Sequence, residues 1–410
     1  MSTIFQNINV LDITTASEGA FDDVSKLENV NFLLYSKATS SLLAKVTQQN
    51  VNVRAELPES CALIHANGRY EITSLNNDIP LFIMVNGTIV IRHDVTAEAL
   101  EKNIAGILIN GSIFCPDQMK GIVQQKVVSL NGRLVSYMDG AELVNENIRI
   151  DKTYLQALKA GSRISFTGKV FMLDEVDTNL LNEKLDTIEF MDKLVIREEL
   201  LSAISGKIVN AHKASIMAVS KDTYYVEDNL MLNEGVLSRI QKKRIHATGV
   251  ILIESDIKPA MFAEWVDNLH SDKLIVCRDE MKQEVLSKTA DPSVVVSGYT
   301  GKLKVVEGDY KLTAAELKYT KEELVFVVHG ELDIASDIDP QQLFDSITGI
   351  FNYGIINGSG EQYGVIQSKL LINEGAVSDR DHIEEYKNDP SASEDHVGDR
   401  YISNANYLKL

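Results

Sequence analysis

The chain has 410 residues, 44% of them hydrophobic, enough to bury a large core. It carries 59 acidic against 40 basic residues, a formal net charge of -19, and shows no basic face, which argues against nucleic acid and against an anionic membrane surface as partners. Its three cysteines, Cys61, Cys115 and Cys277, are too few for a disulfide framework.

No apolar run approaches the ~20 residues that a membrane span needs, so membrane insertion is not expected. The N-terminal stretch lacks the basic and apolar regions of a signal peptide. The default expectation is a cytoplasmic protein, with a surface location after release or non-standard export left open.

From the N-terminus, a first strand is predicted around Ile8 and Val10, from a pattern that recurs every 81 residues. Gly87, Gly168, Gly249 and Gly330 stand at that interval, in VNGTIVI, FTGKVFM, ATGVILI and VHGELDI. Two apolar columns follow each glycine: Ile89, Val170, Ile251 and Leu332, then Ile91, Met172, Ile253 and Ile334. Alternation with period two in mostly β-branched residues predicts a strand with one buried face.

A turn column comes next, Asp94, Glu175, Asp256 and Asp337, and then a short return helix from Ala97, Thr178, Pro259 and Pro340. Thr96, Asp177 and Asp339 fit its N-cap and the two prolines its first position, while Lys258 breaks the cap column. Leu100, Leu181, Phe262 and Leu343 mark its buried face, followed by Ile104, Leu185, Val266 and Ile347, then Ile107, Ile188, Leu269 and Ile350. A lysine column, Lys45, Lys126, Lys207, Lys288 and Lys369, runs through every copy.

Units therefore begin near 6, 87, 168, 249 and 330. In the second, strands are predicted near Phe82, Ile104, Val127 and Ile148, so a unit holds three to four coils of strand plus return. The expected fold is a β-dominated solenoid, a parallel β-helix or a leucine-rich-repeat-like stack with short return helices. It is expected to be continuous over 1–378, with 379–410 a diverged acidic linker and C-terminal arm.

The phrase I-x-x-I-x-x-x-G-x-L-x-I, followed by an apolar return and a new strand, resembles the receptor L-domain and leucine-rich-repeat solenoids from about Phe5 to Ile372. The resemblance implies a β-helix-like fold, a binding or scaffolding role and no cofactor. The chain departs from secreted L-domains in lacking cysteine-rich modules. Polymerising β-helix cytoskeletal proteins offer a second, looser likeness.

Signs of chemistry are sparse. Gly358–Gly364 lacks the Lys-Ser/Thr of a phosphate loop, and the absence of C-x-x-C and H-E-x-x-H argues against zinc. Of the eight histidines only His65, His212 and His270 lie near predicted strands, each read as structural. Cys115 and Cys277 share one strand position, with Ile196 between them, and read as core. The acidic stretch 174–179 and Asp333, Asp337 and Asp339 lack a calcium-loop pattern and read as turns and caps. Lys242-Lys243-Arg244 reads as a solvated turn, and Trp265 as part of the packing beside Val266.

No catalytic, cofactor or metal residue is assigned, and an enzyme is not expected. The expectation is a structural scaffold that associates end to end with copies of itself. Phe5, Ile8 and Val10 at one end and Tyr401, Ile402, Tyr407, Leu408 and Leu410 in the arm are its candidate contacts. The alternatives are a monomeric module binding a protein or glycan and, less favoured, a β-helix enzyme acting on polysaccharide.

Overall fold

The computed structural model describes residues 2–240, 243–380 and 400–410, and strands dominate it. It divides into two compact units, Met1–Val219 with Asp395–Leu410, and Ser220–Glu394. Among the described residues no helix is long and apolar enough to cross a membrane. The linker expected around 388–393 and Lys242 lie outside the described residues.

In the first unit, strands β1 (Thr3–Asp12), β2 (Val24–Ser36) and β3 (Thr47–Leu57) form one parallel sheet. Strands β4 (Ala62–Ile72), β5 (Leu81–Ile91), β6 (Ile104–Pro116) and β7 (Val127–Tyr137) form a second. A third holds Ser162–Phe166 and Leu185–Phe190, continued by Val170–Met172, Lys193–Arg197 and Ser215–Val219. The second unit contains four hydrogen-bonded ladders in two consecutive pairs, called the fourth sheet (strands from Thr223–Val226 to Val295–Tyr299) and the fifth (strands from Lys302–Val306 to Ala376–Asp379). Within each sheet a strand pairs with the strand one coil further on, in parallel.

Pairing is therefore not one continuous stack along 1–378, and the breaks have a simple cause. Inside a sheet the return is longer: Ala97–Asn103 lies between β5 and β6 and Lys120–Lys126 between β6 and β7, and even the helix-free return between β4 and β5 spans 73–80. Only 58–61 separate β3 from β4, and only 300–301 separate Val295–Tyr299 from Lys302–Val306. A parallel neighbour needs a longer crossover, typically of about a dozen residues, so these short links start new sheets. The 81-residue period spans four coils, and the column glycines lie on the second coil of their sheets rather than at unit starts.

Alternate residues of each strand face two different cores. On β5, Ile83 and Val85 pack on the helix side, while Phe82 and Met84 meet Val10, Phe32 and Leu34 of the first sheet. Phe114 and Tyr137 of the second sheet pack with Ala141 and Leu143 leading into the third. In the second unit, Val250, Leu252 and Val276 of the fourth sheet meet Val325, Val327 and Phe351 of the fifth. The predicted apolar columns from Ile89 to Ile350 are all buried. The helices start at Ala97, Thr178, Pro259 and Pro340, with Thr96, Asp177 and Asp339 accepting capping bonds and Lys258 making none. One detail differs: these helices end at Asn103, Lys184, Trp265 and Ser346. The apolar spacing read as one helical face thus crosses into the following strand.

Two columns acquire a physical cause. The lysine column closes the return turns, and in three of its five members the ammonium reaches back to a carbonyl of the helix one coil earlier. Lys126 Nζ donates to Glu101 O at 2.7 Å, Lys207 Nζ to Asn182 O at 2.9 Å and Lys288 Nζ to Ala263 O at 3.0 Å. Those helix-end carbonyls have no intrahelical donor, and the helix dipole favours a cation there.

The glycine column marks a mid-strand bend where successive coils touch backbone to backbone. A Cβ on Gly111, at φ +139°, would lie 1.8 Å from Gly87 O, and one on Gly249 would lie 2.5 Å from Asp228 C.

Two expectations follow. Gly111→Ala combines a strained φ with a backbone clash and is expected to cost on the order of 2–4 kcal/mol. An unchanged thermal midpoint would refute the close stacking. Lys288→Met keeps the apolar stem and removes the donor, for a loss of about 1–2 kcal/mol. Denaturant unfolding of the variant beside the parent checks it, and no loss would leave the lysine column without this explanation.

Candidate functional site

The sequence-predicted contact residues converge on the free edge of β1, where the C-terminal arm of the same chain lies. Arg400–Ser403 pairs in parallel with Thr3–Gln6, and Tyr407–Lys409 with Val10–Asp12. Backbone bonds tie the seam from end to end: Arg400 N to Ser2 O at 2.8 Å, Asn9 N to Ala405 O at 2.9 Å, and Leu410 N to Asp12 O at 2.9 Å.

Phe5, Ile8 and Val10 are buried within this chain. Phe5 and Ile8 belong to the helix-side core and Val10 to the opposite one, so Ile8 and Val10 do not share a face. Ile402, Leu408 and Leu410 pack on that first core, while Tyr401 and Tyr407 remain exposed at 46% and 37%.

The seam is in register because it extends one asparagine amide ladder and repeats the backbone bend of another. Asn7, Asn29, Asn50 and Asn404 all take positive φ, between 53° and 60°. Asn29 donates to Asn7 at 3.0 Å and Asn50 to Asn29 at 2.9 Å. In the second ladder Asn52 donates to Asn31, Asn31 to Asn9 at 3.0 Å, and Asn9 to Asn406 of the arm at 2.9 Å. Asparagine suits both roles, since it tolerates the left-handed region and its amide both donates and accepts.

The arm ends beside a cleft of about 540 Å³ bordered by Asp12, Thr14, Leu57, Cys61, Tyr407 and Lys409. Asp12 is 1% exposed, which is costly for a carboxylate unless it is hydrogen-bonded. Its Oδ1 accepts from Thr14 N at 2.9 Å and Thr14 Oγ1 at 2.6 Å, and its Oδ2 from the Tyr407 hydroxyl at 2.6 Å. Tyr407 stacks on His65 with ring centroids 5.1 Å apart. Burial lowers the His65 pKa, which favours a neutral ring. The carboxylate thus anchors the arm.

Other polar groups singled out in the sequence have structural partners. Arg149 holds Asp174 through bonds of 2.5 and 2.6 Å, Asp177 and Asp339 cap helices, and Arg380 pairs with Asp333 at 2.5 Å. Trp265 packs, half-buried, against the fourth-sheet core. Lys304, Tyr310 and Glu316 form a half-buried hydrogen-bonded triad on the fifth sheet. Cys115 and Cys277 are buried, and desolvation pushes their thiols up to about 12 and about 11.

Comparison with protein-family models, with curated proteins and with solved structures finds no match to this chain.

Two features escaped the sequence reading though their signals were present. The N-x-N of Asn404-Ala-Asn406 repeats that of Asn7–Asn9, Asn29–Asn31 and Asn50–Asn52, which marks the arm as another coil of the first sheet. His246 and His270 are 24 residues apart, one coil, and come side by side on adjacent strands.

Thiol chemistry tests the burial. Below pH 9 a thiol-exchange reagent is expected to label Cys61 alone in the native protein, and Cys115 and Cys277 only after unfolding. Rapid reaction of more than one native thiol would contradict it.

Proposed function

We propose that this chain is a non-catalytic scaffold of short solenoid stacks, five units of four coils, that works as a monomer and binds other proteins along its exposed coil edges. The observation that carries this reading is the arm. Counted with β1, β2 and β3 it gives the first sheet four coils like the others, and it occupies the edge that a head-to-tail neighbour would need. Covering an edge strand is how a parallel stack avoids joining other chains.

The opposite, last coils support a protein partner. Val128, Val209 and Leu371 recur at multiples of the 81-residue period and are about half exposed, at 52%, 50% and 51%. Recurrent exposed apolar side chains beside strand edges that are unpaired among the described residues suit strand addition by a partner.

End-to-end assembly is the second reading, favoured by the composition of the arm. It would place the same contacts between two chains, with Tyr401, Ile402, Tyr407, Leu408 and Leu410 donated to a neighbour's Phe5, Ile8 and Val10.

The two separate cleanly. The double variant Asn9→Cys and Asn406→Cys, oxidised at low and high concentration, is expected to cross-link within one chain and run as a monomer on a non-reducing gel. Deleting 401–410 is expected to lower the thermal midpoint and expose an association-prone edge. Cross-linked ladders, or a full-length oligomer that the deletion dissolves, would replace the monomer reading with the assembly reading.

A further inference from the structure

One cluster in the fourth sheet has no part in the reading above. The sheet stacks Thr223–Val226, Arg244–Ala247 and Asn268–Ser271 in register, so Tyr225, His246 and His270 form a single column. The His246 and His270 rings meet edge to face, with centroids 4.5 Å apart, and Tyr225 flanks His246 at 5.5 Å. Asp272 follows two residues after His270, and its Oδ1 lies 2.8 Å from His246 Nε2 and 3.1 Å from His270 Nε2. One ligand atom from each of the three side chains lies within 4.8 Å of the others.

The arrangement is held in place by its surroundings. Ser271 is buried, and its hydroxyl donates to Gly249 O at 2.6 Å while accepting from Lys273 N and Leu274 N. Asp272 N donates to Ala247 O at 3.1 Å. The turn that carries the carboxylate is thus fixed against the strand that carries His246. The nearest cation in sequence, Lys273, pairs with Glu374 at 2.6 Å. Tyr225 directs its hydroxyl to Glu227.

We propose that His246, His270 and Asp272 form a binding site for one divalent transition-metal ion of the zinc type, bridging two successive coils. Two imidazole nitrogens and one carboxylate oxygen are the donor set that Zn²⁺, Co²⁺ and Ni²⁺ prefer. Metal–ligand bonds of about 2.0–2.2 Å in a tetrahedral site set ligand atoms roughly 3.3 Å apart. The two measured separations need to open by only a few tenths of an ångström. The ion replaces two nitrogen–oxygen contacts on one carboxylate oxygen, and that exchange relieves the crowding of two rings around a single acceptor. The side chains of His246, His270 and Asp272 are 16%, 27% and 40% exposed, so the fourth position opens to solvent and takes water or a donor from a partner. The site is independent of whether the scaffold is a monomer or an assembly.

The test uses the full-length protein freed of metal by chelation. Titration with Co²⁺ is expected to develop the visible absorption of a four- or five-coordinate ion and to saturate at one equivalent, and Zn²⁺ is expected to displace it. His246→Gln and His270→Gln are each expected to weaken binding by more than about 100-fold, since even changes around the ligands cost roughly 10–100-fold. His212→Gln, in an exposed turn, is expected to leave it unchanged. In the unmodified protein, Zn²⁺ should shift the ring resonances of two of the eight histidines, a readout that does not depend on a variant folding. No saturable Co²⁺ spectrum, no histidine shift, or equal binding by a folded double variant would overturn the proposal.

Discussion

Parallel strands stacked in register put like residues on top of one another, and at mid-strand, where the chain bends, the backbones of successive coils come into contact. The bend needs a left-handed residue in the first two sheets and leaves no room for a Cβ at Gly87, Gly111 and Gly132. Two residue types meet this constraint. Glycine at 87, 111 and 132 allows the close approach, while asparagine at 7, 29, 50 and 404 accepts the conformation, and at 7, 29 and 50 it also joins its neighbours through its amide. Either choice fixes register, because a shift by one residue would move the residue suited to the bend out of it.

From that constraint the two-sided burial follows. Each strand presents one set of residues to its own return helices and another to the next sheet, so the chain holds together through several modest cores. The return helices are only about two turns long and would not persist alone. Caps at their N-termini and lysines from the next coil at their C-termini satisfy groups that such short helices leave open.

The polar chemistry of the chain is mostly taken up by this architecture. Carboxylates cap helices or pair with arginine, and two of the three thiols are core atoms. Asp12 is held by a threonine and a tyrosine that join the arm to the sheet. The His246–His270–Asp272 cluster differs from these in that three groups able to bind one ion converge within one site.

The sequence alone determined what repeats locally. The 81-residue period, the strand and helix columns, the cap at Asp339 and its missing counterpart at Lys258, and the burial of Cys115 and Cys277 were all legible, because each is set by residues near in sequence. Where the stack breaks was not, since an apolar column looks the same whether the next strand pairs beside it or packs across from it. Only the length of the link, as at 58–61, decides between them, and that is a matter of reach in three dimensions. The arm was legible as apolar but not as a coil, although Asn404 and Asn406 carried the signature. Its partner lies 397 residues away, and closing so long a loop leaves no local trace. For the same reason the two histidines looked solitary until the register of the fourth sheet brought them together around one carboxylate.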